Sequence, residues 1–118
     1  MTAKEFVKLF TEQRECDLKT YFSQSIETQV GLMIQELELN GDKLNHLKNI
    51  VKLILNESHY NVLCALDGTA GLGGDSRKQQ FYKLQVDGEN ELIYGFGELQ
   101  AEGSEAFEDE CKDFVKFI

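Results

Sequence analysis

The sequence predicts one α+β domain, in which N-terminal helices precede a small three-stranded antiparallel sheet and a C-terminal helix completes two layers. Three observations support this class. Apolar residues recur at spacings of three and four before residue 60, short apolar runs bounded by turn residues follow, and helical spacing returns after Gly97. A length of 118 residues, with 42% hydrophobic and 28% charged residues, fits a single domain over 1–118.

The first helix is predicted to begin at Thr2. Thr2 and Glu5 have the capping-box spacing, in which a hydroxyl and a carboxylate each accept a hydrogen bond from a backbone N–H at a helix start. An apolar stripe follows, and we expect a break or bend in the helix before Leu18. The stripe consists of Phe6, Leu9 and Phe10.

Two further helices are predicted before residue 60. The second is expected to end at Asn40-Gly41, where a left-handed cap is easily formed, and Asp42 is expected to cap the third. The apolar residues of the second are Ile26, Val30, Met33, Ile34 and Leu37, and those of the third are Leu44, Leu47, Ile50, Val51, Ile54 and Leu55. The wide apolar face of the third helix is interpreted as pointing into a core.

Three strands and a hairpin are predicted in the middle of the chain. The apolar run 62–66 ends at Asp67-Gly68 and is interpreted as a buried strand. Residues 81–86 and 92–96 are predicted to pair antiparallel through the turn Asp87-Gly88-Glu89-Asn90. An unpaired edge of so small a sheet would offer a route to a homo-oligomer.

The C-terminal helix is predicted to start at Ser104 and to carry much of the negative charge. The chain has 21 acids and 12 bases, a net charge of −9, and residues 98–118 alone have seven acids and two bases, a net −5. This acidity excludes a basic face for phosphates and hence direct nucleic-acid binding, and it favours a basic protein partner. The predicted partner-binding residues are Glu105, Glu108, Asp109 and Asp113; a solvated helix face is the alternative.

The glycine-rich segment 67–78 is the alternative candidate site. Four glycines in residues 68–74 would let the backbone approach a ligand. The segment fails the P-loop pattern because Gly74 stands where the lysine is required, and it lacks the third glycine of the dinucleotide fingerprint. It is interpreted as a connection between strands or as a small-ligand or anion-binding loop. The candidate ligand-binding residues are Thr69, Asp75, Ser76, Arg77 and Lys78.

No catalytic, metal or cofactor site is predicted. His59, Cys64 and Asp67 are the residue types of a nucleophilic triad, but Cys64 lies in an apolar run, where a thiol behaves as a small hydrophobe. His46 and His59 are too far apart in sequence for a short-spaced metal motif. The protein is therefore predicted not to be an enzyme.

A cytoplasmic location is predicted. No export signal follows Met1, and no apolar run approaches the length of a membrane span. The cysteines Cys16, Cys64 and Cys111 are odd in number and widely spaced, which is typical of reduced thiols rather than of a disulfide framework.

One stretch of the chain resembles small bacterial proteins, some of which are similar to immunity proteins of polymorphic-toxin systems. The resemblance covers roughly residues 60 to 110. It rests on the run from Leu63 to Gly68, the glycine-rich segment, the residues Phe81-Tyr82-Lys83-Leu84, the turn Asp87-Gly88, and Glu98-Leu99. It implies a protein that binds and neutralises a cognate toxin and brings no catalytic residues. The favoured function is thus a non-enzymatic interaction domain, and the ligand-binding loop is the alternative.

Overall fold

The computed structural model describes residues 1–68, 71–74, 80–93, 99 and 101–103. Three helices form most of this part: α1 (Ala3–Tyr21), α2 (Gln29–Glu36) and α3 (Gly41–Leu66). A short 3-10 turn, Leu72–Gly74, follows. These residues contain no strand, so the predicted α+β class with a three-stranded sheet is wrong for the described part of the chain. Within the same residues, no helix is both long and apolar enough to cross a membrane.

Helix α1 begins as predicted and continues further than predicted. Thr2 Oγ1 accepts a hydrogen bond from Glu5 N at 3.1 Å, and Glu5 Oε2 accepts one from Thr2 N at 3.2 Å, which confirms the capping box. The expected break before Leu18 is absent, because no glycine or proline interrupts the helix. An i, i+4 hydrogen bond of 2.9 Å from Gln13 to Asp17 supports the turn where the break was expected.

Helix α3 overturns the first predicted strand. Its 26 residues extend through Leu66, so residues 62–66 form its last turns. A short continuous apolar run is compatible with a strand and also with a helix end that is buried on several sides. Leu63, Cys64 and Ala65 are all buried, as the second case requires. At the other end, Asn40 and not Asp42 occupies the N-cap position, and Asp42 lies in the first turn.

The other two predicted strands are also wrong where they are described. Residues 81–86 and 92–93 have no strand assignment, and 94–96 lie outside the described residues. The predicted turn is present, since Glu89 N donates to Val86 O at 3.0 Å and Gly88 has φ +89°. One further bond, from Ile93 N to Leu84 O at 2.8 Å, joins the two arms. A single bond beyond the turn does not form a ladder, so residues 81–86 and 92–93 form no sheet with each other, and Leu84, Val86 and Ile93 pack at the core.

The core lies where the start of α1 meets the end of α3. Its buried residues are Ala3, Val7, Leu63, Ile93 and Leu99. Leu99 and residues 101–103 are helical, ahead of the predicted start at Ser104, which lies outside the described residues. Further along, Arg14 and Leu18 of α1 share a cavity with Lys52, Leu55 and Asn56 of α3. The two helices therefore run antiparallel.

Candidate interaction surface

Helix α2 is held in place by backbone and polar contacts at the end of α1. Thr28 Oγ1 accepts a hydrogen bond from Gly31 N at 3.0 Å and so caps the helix. Gly31 is the buried residue of α2, and a Cβ at that position would stand 3.5 Å from Tyr21 O. Gln35 Nε2 donates to Ser23 O and to Gln24 O, at 3.2 and 2.9 Å. None of these contacts uses a large apolar side chain.

Most apolar side chains of α2 consequently face outward, whereas Ile34 is half-buried. We call Val30, Met33 and Leu37 the α2 stripe, because spacings of three and four place them along one side of the helix. Their exposed fractions are 44%, 60% and 56%, and Leu32 beside them is 41% exposed. A cluster of large apolar side chains at this exposure is typical of a binding surface and not of a solvated helix face.

The surroundings of the α2 stripe are acidic. Residues 22–40 contain no lysine or arginine, whereas Glu27, Glu36 and Glu38 all lie exposed. Glu38 also has a left-handed backbone conformation, φ +51°, where the chain turns from α2 toward α3. The surface therefore combines an apolar strip with a negative rim.

The cavity between α1 and α3 has different properties. Its volume is about 20 Å³, and it is lined by Arg14, Glu15, Leu18, Lys52, Leu55 and Asn56. Asn56 is only 2% exposed, and its Nδ2 has no hydrogen-bond partner among the described residues. A cavity of this size accommodates one water molecule and is far smaller than a substrate-sized pocket.

A second depression opens at the turn over 85–90, with a volume of about 410 Å³. Its lining comes from that one turn and includes the carboxylates of Asp87 and Glu89. The amino group of Met1 pairs with Glu89, and this hydrogen bond raises the pKa of the amine above its ordinary value. The turn is thereby tied to the start of α1.

The triad-type residues all lie on α3 or at its end. His59 is half-buried, and its ring meets the Phe10 ring edge-on at 5.3 Å. Cys64 is buried in the helix, and Asp67 is the C-cap. Cys64 follows His59 by five positions, which places their side chains about 140° apart around the helix axis. Helix α3 thus directs these two groups to different sides, and His46 is exposed far along the same helix.

The other predicted site residues lie outside the described residues. These are the acids Glu105, Glu108, Asp109 and Asp113 and the loop residues Thr69, Asp75, Ser76, Arg77 and Lys78. In the described part of the glycine-rich segment, Gly68 and Gly73 have φ of +74° and +87°. The described residues contain no group of three potential metal ligands.

Sequence reasoning placed these residues on a helix but did not identify the α2 stripe as an exposed surface. A signal was nevertheless present: Leu32 lies outside the arc of roughly 100° that holds the other apolar residues of this helix, so they are not confined to one side. The lack of basic residues over 22–40 was a second signal. A comparison with known protein families, with curated proteins and with solved structures found no match.

Proposed function

We propose that this protein is a non-enzymatic interaction domain that binds a basic protein partner. The observation that carries the proposal is the α2 stripe, whose three large apolar side chains are 44–60% exposed. Exposing such residues costs solubility and contributes nothing to the core, so a bound partner is the simplest reason for their position.

The chemistry of the surface defines the partner. An apolar helix face of this kind docks into a hydrophobic groove through residues spaced three and four apart. Because Glu27, Glu36 and Glu38 surround the stripe and no base lies within 22–40, the groove should carry lysine or arginine at its rim. The acids of residues 98–118 would add long-range attraction for the same partner. A cytoplasmic toxin is one such partner, as the resemblance to immunity proteins implies.

The test is affinity capture from a cell lysate with the wild-type chain and two variants. Met33→Glu places a charge in the centre of the α2 stripe. Leu9→Glu is the matched control, because Leu9 is 50% exposed on α1 and the change in charge is the same. We expect the wild type and Leu9→Glu to retain the same partner, and Met33→Glu to lose it by at least about tenfold. Equal capture by Met33→Glu would refute the proposal.

The predicted acidic residues need a separate variant. Replacing Glu105 and Glu108 by Gln, and Asp109 and Asp113 by Asn, removes four charges without deleting side chains. We expect this variant to bind the purified partner more slowly and with less dependence on salt, since steering acts on association. Unchanged salt dependence would remove these acids from the binding surface. If the partner is a toxin, the wild-type chain should protect cells that produce it, and Met33→Glu should not.

A further inference from the structure

A second exposed apolar strip lies on α3, on the side away from α1. Lys52, Leu55 and Asn56 line the cavity shared with α1, so this side of α3 faces that helix. Ile54 precedes Asn56 by two residues and therefore points about 160° away around the helix axis. Ile50 and Ile54 are 41% and 58% exposed on this outer side.

These isoleucines belong to a longer pattern, which we call the α3 stripe. Its members follow one another at alternating spacings of four and three residues, the heptad spacing of helices that pair side by side. They are Lys43, Leu47, Ile50, Ile54, Glu57 and Asn61. The apolar members occupy the middle, Lys43 lies toward the N-terminal end, and Glu57 lies toward the C-terminal end; both charged residues are exposed.

We propose that two copies of this chain associate through the α3 stripe, with the two helices antiparallel about a two-fold axis at the level of residue 52. This arrangement maps the stripe onto itself. Ile50 faces Ile54 of the second copy. Further from the axis, Leu47 faces Glu57 of the second copy, and Lys43 faces Asn61. The long side chain of Lys43 then reaches Glu57 of the second copy, and symmetry forms the same pair at the other end.

Charge selects the antiparallel arrangement over the parallel one. In a parallel pair, Lys43 would lie beside Lys43 of the second copy, and Glu57 beside Glu57 of the second copy. Contact between like charges disfavours that arrangement. The strip covers only a few helical turns, so the contact is at the small end of specific interfaces and the dimer should be weak. Its place on α3 makes it independent of the α2 stripe.

The first test is sedimentation equilibrium over a concentration series that reaches the millimolar range. We expect reversible dimerisation of the wild type. Ile54→Glu should weaken it by about tenfold or more, because two carboxylates would enter the centre of the contact. Leu9→Glu and Met33→Glu should dimerise like the wild type. Circular dichroism and urea unfolding check that each variant is folded.

The second test reverses the charges. Lys43→Glu and Glu57→Lys should each weaken the dimer several-fold, about fivefold for two exposed pairs, and the double variant should return to within about twofold of the wild type. This rescue is specific for antiparallel pairing and does not depend on the fold tolerating Ile54→Glu. A parallel dimer would show no rescue.

Several results would overturn the proposal. A wild-type chain that stays monomeric throughout the series has no such interface. A dimer that survives Ile54→Glu uses another surface, and one that is lost in Met33→Glu uses the α2 stripe. Loss of rescue in the double variant would reject the two-fold arrangement. Capture of a basic partner is measured separately, and among these results only a dimer lost in Met33→Glu would bear on the α2 stripe.

Discussion

The two ends of the helical unit differ in what keeps them folded. At one end, Leu63 and Leu99 are completely buried where the start of α1 meets the end of α3. At the other end, α2 buries only Gly31, which approaches the backbone of α1 closely, and its hydrogen bonds go to the segment that follows α1. The core end is stabilised by apolar burial, which contributes roughly 25 cal/mol per Å².

This difference separates stability from binding. Residues at the core end should affect the free energy of unfolding and leave partner binding intact, whereas the α2 stripe should do the opposite. Helices of eight residues are marginal without tertiary support, so α2 is also expected to open more readily than α1 and α3.

The largest effect is expected from Leu63→Ala. Leu63 has no exposed surface, and its truncation should leave a cavity that costs about 2–5 kcal/mol of unfolding free energy. Ile54→Ala on the same helix is the control, because Ile54 is 58% exposed and its truncation should cost less than about 1 kcal/mol. Urea unfolding followed by circular dichroism measures both. Equal losses would contradict the placement of the core.

Gly103→Ala should have the next largest effect. A Cβ at Gly103 would lie 2.6 Å from Leu63 Cδ1, and Leu63 is too deeply buried to move aside freely. We expect overpacking to cost about 1–3 kcal/mol. In a Leu63→Ala background the added methyl group gains room, so the cost should fall to near zero.

The control for Gly103→Ala is Gly88→Ala. Gly88 has φ +89° and nothing within 4 Å of a Cβ, so its substitution introduces backbone strain without crowding. Its cost should therefore be the same in the wild-type and Leu63→Ala backgrounds. If Gly103→Ala also cost the same in both backgrounds, the contact with Leu63 would be contradicted.

The two threonine caps provide a matched pair. Thr2→Ala should lower the free energy of global unfolding by about 1 kcal/mol, because α1 is part of the core. Thr28→Ala removes a similar cap from α2 and should increase local opening there, with little change in the global transition. Native-state hydrogen exchange distinguishes the outcomes: faster exchange should be confined to the amides of α2. Faster exchange throughout α1 in Thr28→Ala would show that the two ends unfold as one.

Local features of this fold were readable from the sequence. The capping box at Thr2 and Glu5 and the turn at Asp87-Gly88 were both predicted, because each depends on residues within three or four positions of one another. The break before Leu18 was wrong, since tertiary contacts and uninterrupted helix formers outweighed a gap in the apolar stripe.

The wrong predictions share a physical cause: a run of apolar residues does not reveal which part of the protein, or which other molecule, packs against it. Residues 62–66 were interpreted as a strand, but they end a long helix whose Leu63, Cys64 and Ala65 are buried on several sides. Ile50 and Ile54 were assigned to a helix face that points into a core, yet they are 41% and 58% exposed. Apolar periodicity predicts that a face needs a partner and does not reveal whether that partner belongs to the same chain.

The smallest effect concerns the ion pair of Met1 with Glu89, which ties the core end to the turn. The hydrogen bond to Glu89, and then the charges of Glu89, Glu5 and Glu91, raise the pKa of the amine above 8.0 and outweigh its desolvation. A raised pKa in the folded state stabilises the fold fully below pH 8.0, and this contribution is lost as the pH rises through the folded-state pKa. Glu89→Gln should therefore be less stable than the wild type at about pH 7 and equally stable at about pH 11. Urea unfolding at both pH values measures this, and a difference that persists unchanged at high pH would assign the stabilisation to something other than the amine.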